Sequence, residues 1–278
     1  MMFQVSTGAL VALIFIMLVC FVLPVVLYTA FYRLSDSTLR MFLIGAGAFF
    51  TVKFVAELPV NAILEHYWPL ASHPWVQGAY LMAFCPLAFV GINYAALRIF
   101  GKDIRVTGHV LMTATGYTAL QNIVEAGAVS AMYFITLWDI RFSRTVYTVV
   151  SDADYISMTD VVSQSSLLTE TIYDEMQTLC DTPAMYFVSM CLERLWLVAV
   201  YSAVILVIWL AVRKSASAAK TWLLLAVALG MRCLAALPNM LAVLGILTPG
   251  AGSALVIASI LAADAAASVV CWRKLTDE

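Results

Sequence analysis

Three polar residues crowd the stretch GYTALQNIVEAG (Gly116 to Gly127), which lies inside a long apolar run. They are Gln121, Asn122 and Glu125, and Tyr117 precedes them. Tyr117, Gln121 and Glu125 are spaced four apart, so in an α-helix they line one face, while Asn122 points elsewhere. A phenol, an amide and a carboxylate on one face can hydrogen-bond to a neighbouring helix. A carboxylate there can also move protons. Glu193 and Arg194 form a second pair in CLERLWLVAVYSAVIL. Adjacent helical residues point about 100° apart, so these two look toward different partners. Tyr201 follows Glu193 by just over two turns and shares its face. Lys53 and Glu57, in VKFVAEL, are four apart and suit an intrahelical ion pair. Asn93 and Tyr94 add polar groups in FVGINYAALRIF. Arg232 and Asp264 complete the set of isolated polar groups in apolar surroundings.

These residues must be carried by elements that suit an apolar solvent. The chain of 278 residues is 63% hydrophobic and 12% charged, against about 25% charged in an average soluble domain. Lipid demands that every backbone polar group be satisfied internally, which favours helices. Apolar runs mark seven expected spans, at about 9–31, 41–64, 78–99, 108–138, 184–212, 221–247 and 253–271. The fold class is therefore an all-α polytopic transmembrane bundle in a single domain, 1–278. Lys and Arg alternate between its connections. Arg33 and Arg40 occupy the first, Lys102 and Arg105 the third, Arg213, Lys214 and Lys220 the fifth, and Arg273 and Lys274 the tail. Connections 65–77 and 248–252 hold none. The positive-inside rule then places the N-terminus outside and the C-terminus in the cytoplasm, and parity requires an odd number of spans. The long acidic connection at 139–183 falls outside the cell. Within it, VVSQSSLLTETIYDEMQTL suits either a flexible loop or a short amphipathic surface helix.

Composition also sets aside several functions. The net charge of -2 comes without a basic patch, so no nucleic-acid partner is expected. The six cysteines form no CxxC pair, and His66, His73 and His109 form no HExxH motif, so no metal or cofactor site is expected. The expected surroundings are the lipid bilayer of a prokaryotic plasma membrane, with another membrane protein or peptide as partner. Seven charged residues fall within the expected spans, apart from Arg98 at the edge of the third: Lys53, Glu57, Glu125, Glu193, Arg194, Arg232 and Asp264. Each would cost about 2.5–3.5 kcal/mol at a helix centre, so most should turn inward and pair.

Several of these stretches resemble the YhfC family of membrane proteins. That family belongs to the glutamic intramembrane protease superfamily, with the CPBP/CAAX proteases and a gamma-secretase subunit. RMFLIGAGAFFTVKFVAELPVNAIL is similar to the family's second-helix pattern at Gly45, Phe49, Phe50 and Pro59. AFVGINYAALRIF stands where the family has paired glutamates and an arginine, GYTALQNIVEAG where it has Gly-His-Gly-Gly-x-Glu-Ala, and LERLWLVAVYSAVILV resembles its Glu-Arg helix. Carried across position by position, the resemblance puts the paired glutamates on Val90 and Gly91 and the arginine on Tyr94. It puts the histidine and glutamate of the next motif on Tyr117 and Gln121, and the histidine of the Glu-Arg helix on Tyr201. The sixth helix, which offers a His and an Asp in the family, has Gly230 and Leu234 near those positions, with Arg232 between them. Glu193 and Arg194 are the matches that remain.

The resemblance thus implies an intramembrane peptidase framework from which most of the chemistry is gone. Hydrolysis needs a general base and an oxyanion-stabilising group, and Val, Gly and Gln supply no base. One reading is a degenerate member acting as a scaffold or substrate-binding protein. A second is an active peptidase using Glu193 with Arg194, and with Glu125 one turn beyond Gln121. A third is an unrelated seven-helix transporter or receptor that uses its buried charges as a relay. A retinal-binding receptor is disfavoured because the seventh run, ALVIASILAADAAASVVCW, has no lysine.

Overall fold

The computed structural model describes residues 5–142, 177–213 and 217–246, and the regular structure among them is helical throughout. Helix α1 spans Thr7–Ser35, α2 Leu39–Tyr67 and α3 Pro74–Asp103. Helix α4 runs through residues 107–142, joining Thr107–Asn122, Ile123–Gly127 and Ala128–Phe142. Helix α5 spans Ala184–Arg213 and α6 spans Ala218–Val243. Helices α1, α2, α3, α5 and α6 are long and apolar enough to cross a membrane. At 26–30 residues they extend about 40–45 Å, beyond the roughly 30 Å of a hydrocarbon core. Their limits match the expected spans to within a turn or so. The expected fourth span lies within α4, which is not among these five. The buried polar residues Thr113, Thr115, Thr118, Gln121, Asn122 and Ser130 dilute its apolar character. The expected seventh span, with Asp264, and most of the 139–183 connection lie outside the described residues.

The helices are not uniform. Wide π-helical turns occur at Leu18–Val22, Thr51–Glu57, Tyr80–Phe84 and Ile123–Gly127. The first three each end two residues before a proline, Pro24, Pro59 and Pro86. Proline has no N–H to offer and its ring crowds the carbonyl four residues back; widening the preceding turn relieves that crowding. At Pro86 the carbonyl concerned is that of Met82, which accepts a hydrogen bond from Cys233 Sγ of α6 at 3.3 Å. The fourth wide turn has no proline behind it and carries Glu125.

The chain divides into two compact units. The first takes Met1–Val22 and Asn122–Arg194. Its core includes Leu10, Leu13 and Ile16 of α1, Ala126 and Leu137 of α4, and Phe187 of α5. Arg141 donates to Thr7 Oγ1 at 2.7 Å and to the Val5 carbonyl at 3.3 Å, which ties the end of α4 to the start of α1. Gly127 lies where a Cβ would meet Phe21 and Cys20 at 3.0–3.2 Å.

The second unit takes Leu23–Gln121 and Leu195–Glu278. Its core is built from Phe49 and Val52 of α2, Phe89 and Leu97 of α3, Val110, Met112 and Tyr117 of α4, and Tyr201 to Ala211 of α5, with Leu224, Ala228 and Met231 of α6. His109 has a structural role here. His109 Nε2 lies 3.0 Å from the Ser35 carbonyl, joining the beginning of α4 to the end of α1. Two glycines set the approach of α2 to α4. A Cβ on Gly45 would lie 1.8 Å from the Thr113 carbonyl oxygen, and one on Gly116 would lie 1.9 Å from that of Phe42. Small residues are how helices approach this closely when both solvent and core are apolar.

Gly45→Ala and Gly116→Ala should each lower stability by about 1–3 kcal/mol, because the obstructing atoms are backbone. Gly47→Ala, with nothing within 4 Å of its Cβ position, should leave stability unchanged or slightly raised. Circular-dichroism melts in one detergent would separate the three variants.

Candidate functional site

Two polar clusters stand out, one in each unit. In the second unit, Tyr117 and Gln121 lie on the first stretch of α4, one turn apart, and both are buried. Gln121 Nε2 donates to Tyr201 Oη of α5 at 3.1 Å. The two tyrosine rings meet edge to face at 5.7 Å, and both contact Phe89 of α3. Tyr117 approaches Phe89 edge-on at 4.9 Å, and Tyr201 stacks on it at 5.1 Å. Phe49 of α2 packs edge to face on Tyr117 at 5.5 Å. Asn93 is buried one turn after Phe89 and turns its amide back onto the Phe89 carbonyl at 2.9 Å.

Arg232 of α6 closes this cluster. Its guanidinium carbon lies 4.9 Å from the Tyr201 ring centre and 5.6 Å from that of Phe89. Its Nε is buried and has no hydrogen-bond partner among the described residues. The π faces of two rings therefore supply much of what water would otherwise give the cation, an attraction that grows when the pair is desolvated. Glu57 of α2 also acts on Arg232 electrostatically. Lys53 and Glu57 make the intrahelical pair expected from their spacing, at 3.4 Å. The Glu57 carbonyl accepts from Tyr80 Oη at 3.1 Å.

In the first unit, Glu125 Oε2 and Arg194 Nη1 are 3.1 Å apart, and Glu193 Oε1 stands 4.0 Å from Arg194 Nη2. The Arg194 side chain is 13% exposed, against 24% for Glu125 and 40% for Glu193. The Arg194 guanidinium thus stands against both carboxylates. Asn122, on another face of α4, is buried with its amide nitrogen unpartnered among the described residues.

The positions singled out by the sequence therefore separate. Tyr117, Gln121, Tyr201 and Arg232 come together, with Asn93 and the buried Val90 nearby on α3. Gly91 is exposed, with nothing within 4 Å of its Cβ position. Tyr94 instead accepts from Arg98 at 3.1 Å, toward the end of α3. Gly230 also has open space around its Cβ position, and Leu234 is exposed. Glu125 and Glu193 share Arg194. The i, i+4 stripe of Tyr117, Gln121 and Glu125 is interrupted by the wide turn Ile123–Gly127, which changes the direction in which the following residues point. Phe89 was not singled out in the sequence, and Phe49 was named there only as part of the second-helix pattern. Phe89 sits four residues before Asn93, and that spacing was the available signal.

Chemically, the aromatic cluster offers phenols, amides and a cation. Among the described residues these groups can bind and orient: a phenol's ordinary pKa is about 10 and an amide is no base near neutrality. No group of three or more His, Cys, Asp or Glu among the described residues is placed to hold a metal ion. Comparison of the chain with protein-family models gives no match, and neither curated proteins nor solved structures give one.

Removing Arg194 alone leaves two acids without their cation, whereas removing Arg194 and Glu125 together does not. Arg194→Met should cost about 3 kcal/mol. The double variant Glu125→Leu/Arg194→Met should recover most of that loss, as read by thermal unfolding of the two proteins in the same detergent.

Proposed function

We propose that this chain is an integral membrane protein that works by binding rather than by hydrolysis, a degenerate relative of the YhfC family acting as a scaffold or substrate-binding protein. The observation that carries this reading is the Gln121–Tyr201 hydrogen bond inside a closed aromatic cluster. Three positions that the resemblance assigns to one site, Tyr117, Gln121 and Tyr201, do lie together. Their convergence supports the resemblance, and their chemistry supports the loss of catalysis. Each has lost the ability to take a proton from water, and the side chains pack against one another where a substrate and water would need room. The partner in this reading is another membrane protein or a membrane-embedded peptide.

Glu193 and Glu125 are the acids a residual peptidase would use. Their shared contact with Arg194 supports a structural role for them. In proteoliposomes, the wild-type protein should cleave a panel of fluorogenic transmembrane peptides no faster than Glu125→Gln or Glu193→Gln. Turnover by the wild type that disappears in Glu193→Gln would replace this proposal with an active enzyme. Ion-driven solute uptake by the same proteoliposomes would replace it with a transporter.

A further inference from the structure

The ends of α3 and α5 border an open cavity of about 390 Å³ lined by Leu97, Arg98, Gly101, Lys102, Val212 and Arg213. Half of that lining is cationic. Arg98 falls in the last turn of its helical stretch and Arg213 ends α5, where cations complement the exposed carbonyls. Arg213 Nη2 reaches the Lys102 carbonyl at 3.5 Å and so marks the seam between the two helix ends. Arg98 is pre-positioned by its own helix, donating to Tyr94 Oη at 3.1 Å and lying over that ring at 5.9 Å.

The neighbouring carboxylate is already committed: Asp103 pairs with Arg40 of α2. Among the described residues, Arg98, Lys102 and Arg213 have no carboxylate partner. All three are exposed, so their charge is available to a ligand. Directly beside the cavity, Ile99 and Phe100 are 60% and 54% exposed. The place thus combines three cations that lack a carboxylate partner among the described residues, a concavity and an adjoining apolar strip at the end of helices long enough to cross a bilayer. A ligand that answers all of these has an anionic phosphate joined to acyl chains.

We propose that this cavity binds the phosphate of an anionic glycerophospholipid, with the chains lying along the Ile99 and Phe100 side of α3. Guanidinium groups suit phosphate oxygens because their N–H donors form a planar fork. Basic cavities between membrane helices hold anionic headgroups by the same chemistry. The site is separate from the aromatic cluster and does not depend on the reading of that cluster.

The test uses the full chain in nanodiscs of phosphatidylcholine, with spin-labelled phosphatidylglycerol or spin-labelled phosphatidylcholine as probe. The wild type should retain the anionic probe preferentially. Each of Arg98→Gln, Lys102→Gln and Arg213→Gln should weaken that retention about fivefold, and Arg98→Lys should keep most of it. The thermal midpoint of each variant should stay at the wild-type value. The paired control Arg33→Gln/Arg105→Gln changes other basic residues and should leave retention intact. An equal loss in that control would overturn the site in favour of a general surface potential. Displacement of the lipid probe by millimolar inorganic phosphate would overturn the lipid assignment in favour of a free anion. Equal retention of both probes by the wild type would overturn the proposal outright.

Discussion

The carbonyl oxygens of Thr113 and Phe42 lie where Cβ atoms would stand at positions 45 and 116. That mutual constraint sets the distance between α2 and α4, and the interior of the second unit follows from it. With the two backbones this close, Phe49 of α2 reaches the edge of Tyr117 on α4. Tyr117 in turn meets Phe89 and Tyr201. The Tyr201 hydroxyl then falls within reach of Gln121, one turn beyond Tyr117. A side chain at either glycine would push the helices apart and leave the rings without their edges and faces. Dispersion falls off steeply once such gaps open.

A second constraint operates along each helix. Three prolines each remove a backbone donor in an environment that offers no water to replace it. The chain answers locally by widening the turn before the proline, and at Pro86 by bringing a thiol from another helix to the carbonyl at Met82. Those turns also re-aim side chains. Lys53 and Glu57 lie in one of them and Tyr80 in another, and Tyr80 Oη meets the Glu57 carbonyl. The turn at Ile123–Gly127 is different in origin, since no proline follows it. It lies where the chain passes from the second unit to the first, and it carries the acid that pairs with Arg194.

The helical class and the extents of five long apolar helices were legible because hydropathy reports them directly. The Lys53–Glu57 pair was legible because i, i+4 spacing survives a modest distortion. Proline-linked wide turns can be inferred only after the fact, because Pro238 sits inside α6 without one. The direction of Glu125 was hidden because no proline marks its wide turn at all: spacing aligns it with Gln121, and the wide turn separates their partners. The role of Arg232 was hidden for another reason. Its close contacts among the described residues are ring faces, which no charge pattern along the chain reveals. The basic cavity was half visible. Lys102 and Arg213 were counted as markers of orientation, but their convergence with Arg98 depends on two helix ends about 110 residues apart in sequence.

The two clusters handle charge by opposite means, and this bears on what each can do. Arg194 stands against two carboxylates, so that group has a fixed set of charges whose loss on one side leaves the other exposed to a poor solvent. Arg232 is covered by the quadrupoles of Tyr201 and Phe89, which attract a cation without neutralising it. A guanidinium held this way keeps its positive field while the rings restrict its movement. Among the described residues, phenols, amides and ring faces stand around it between the helices.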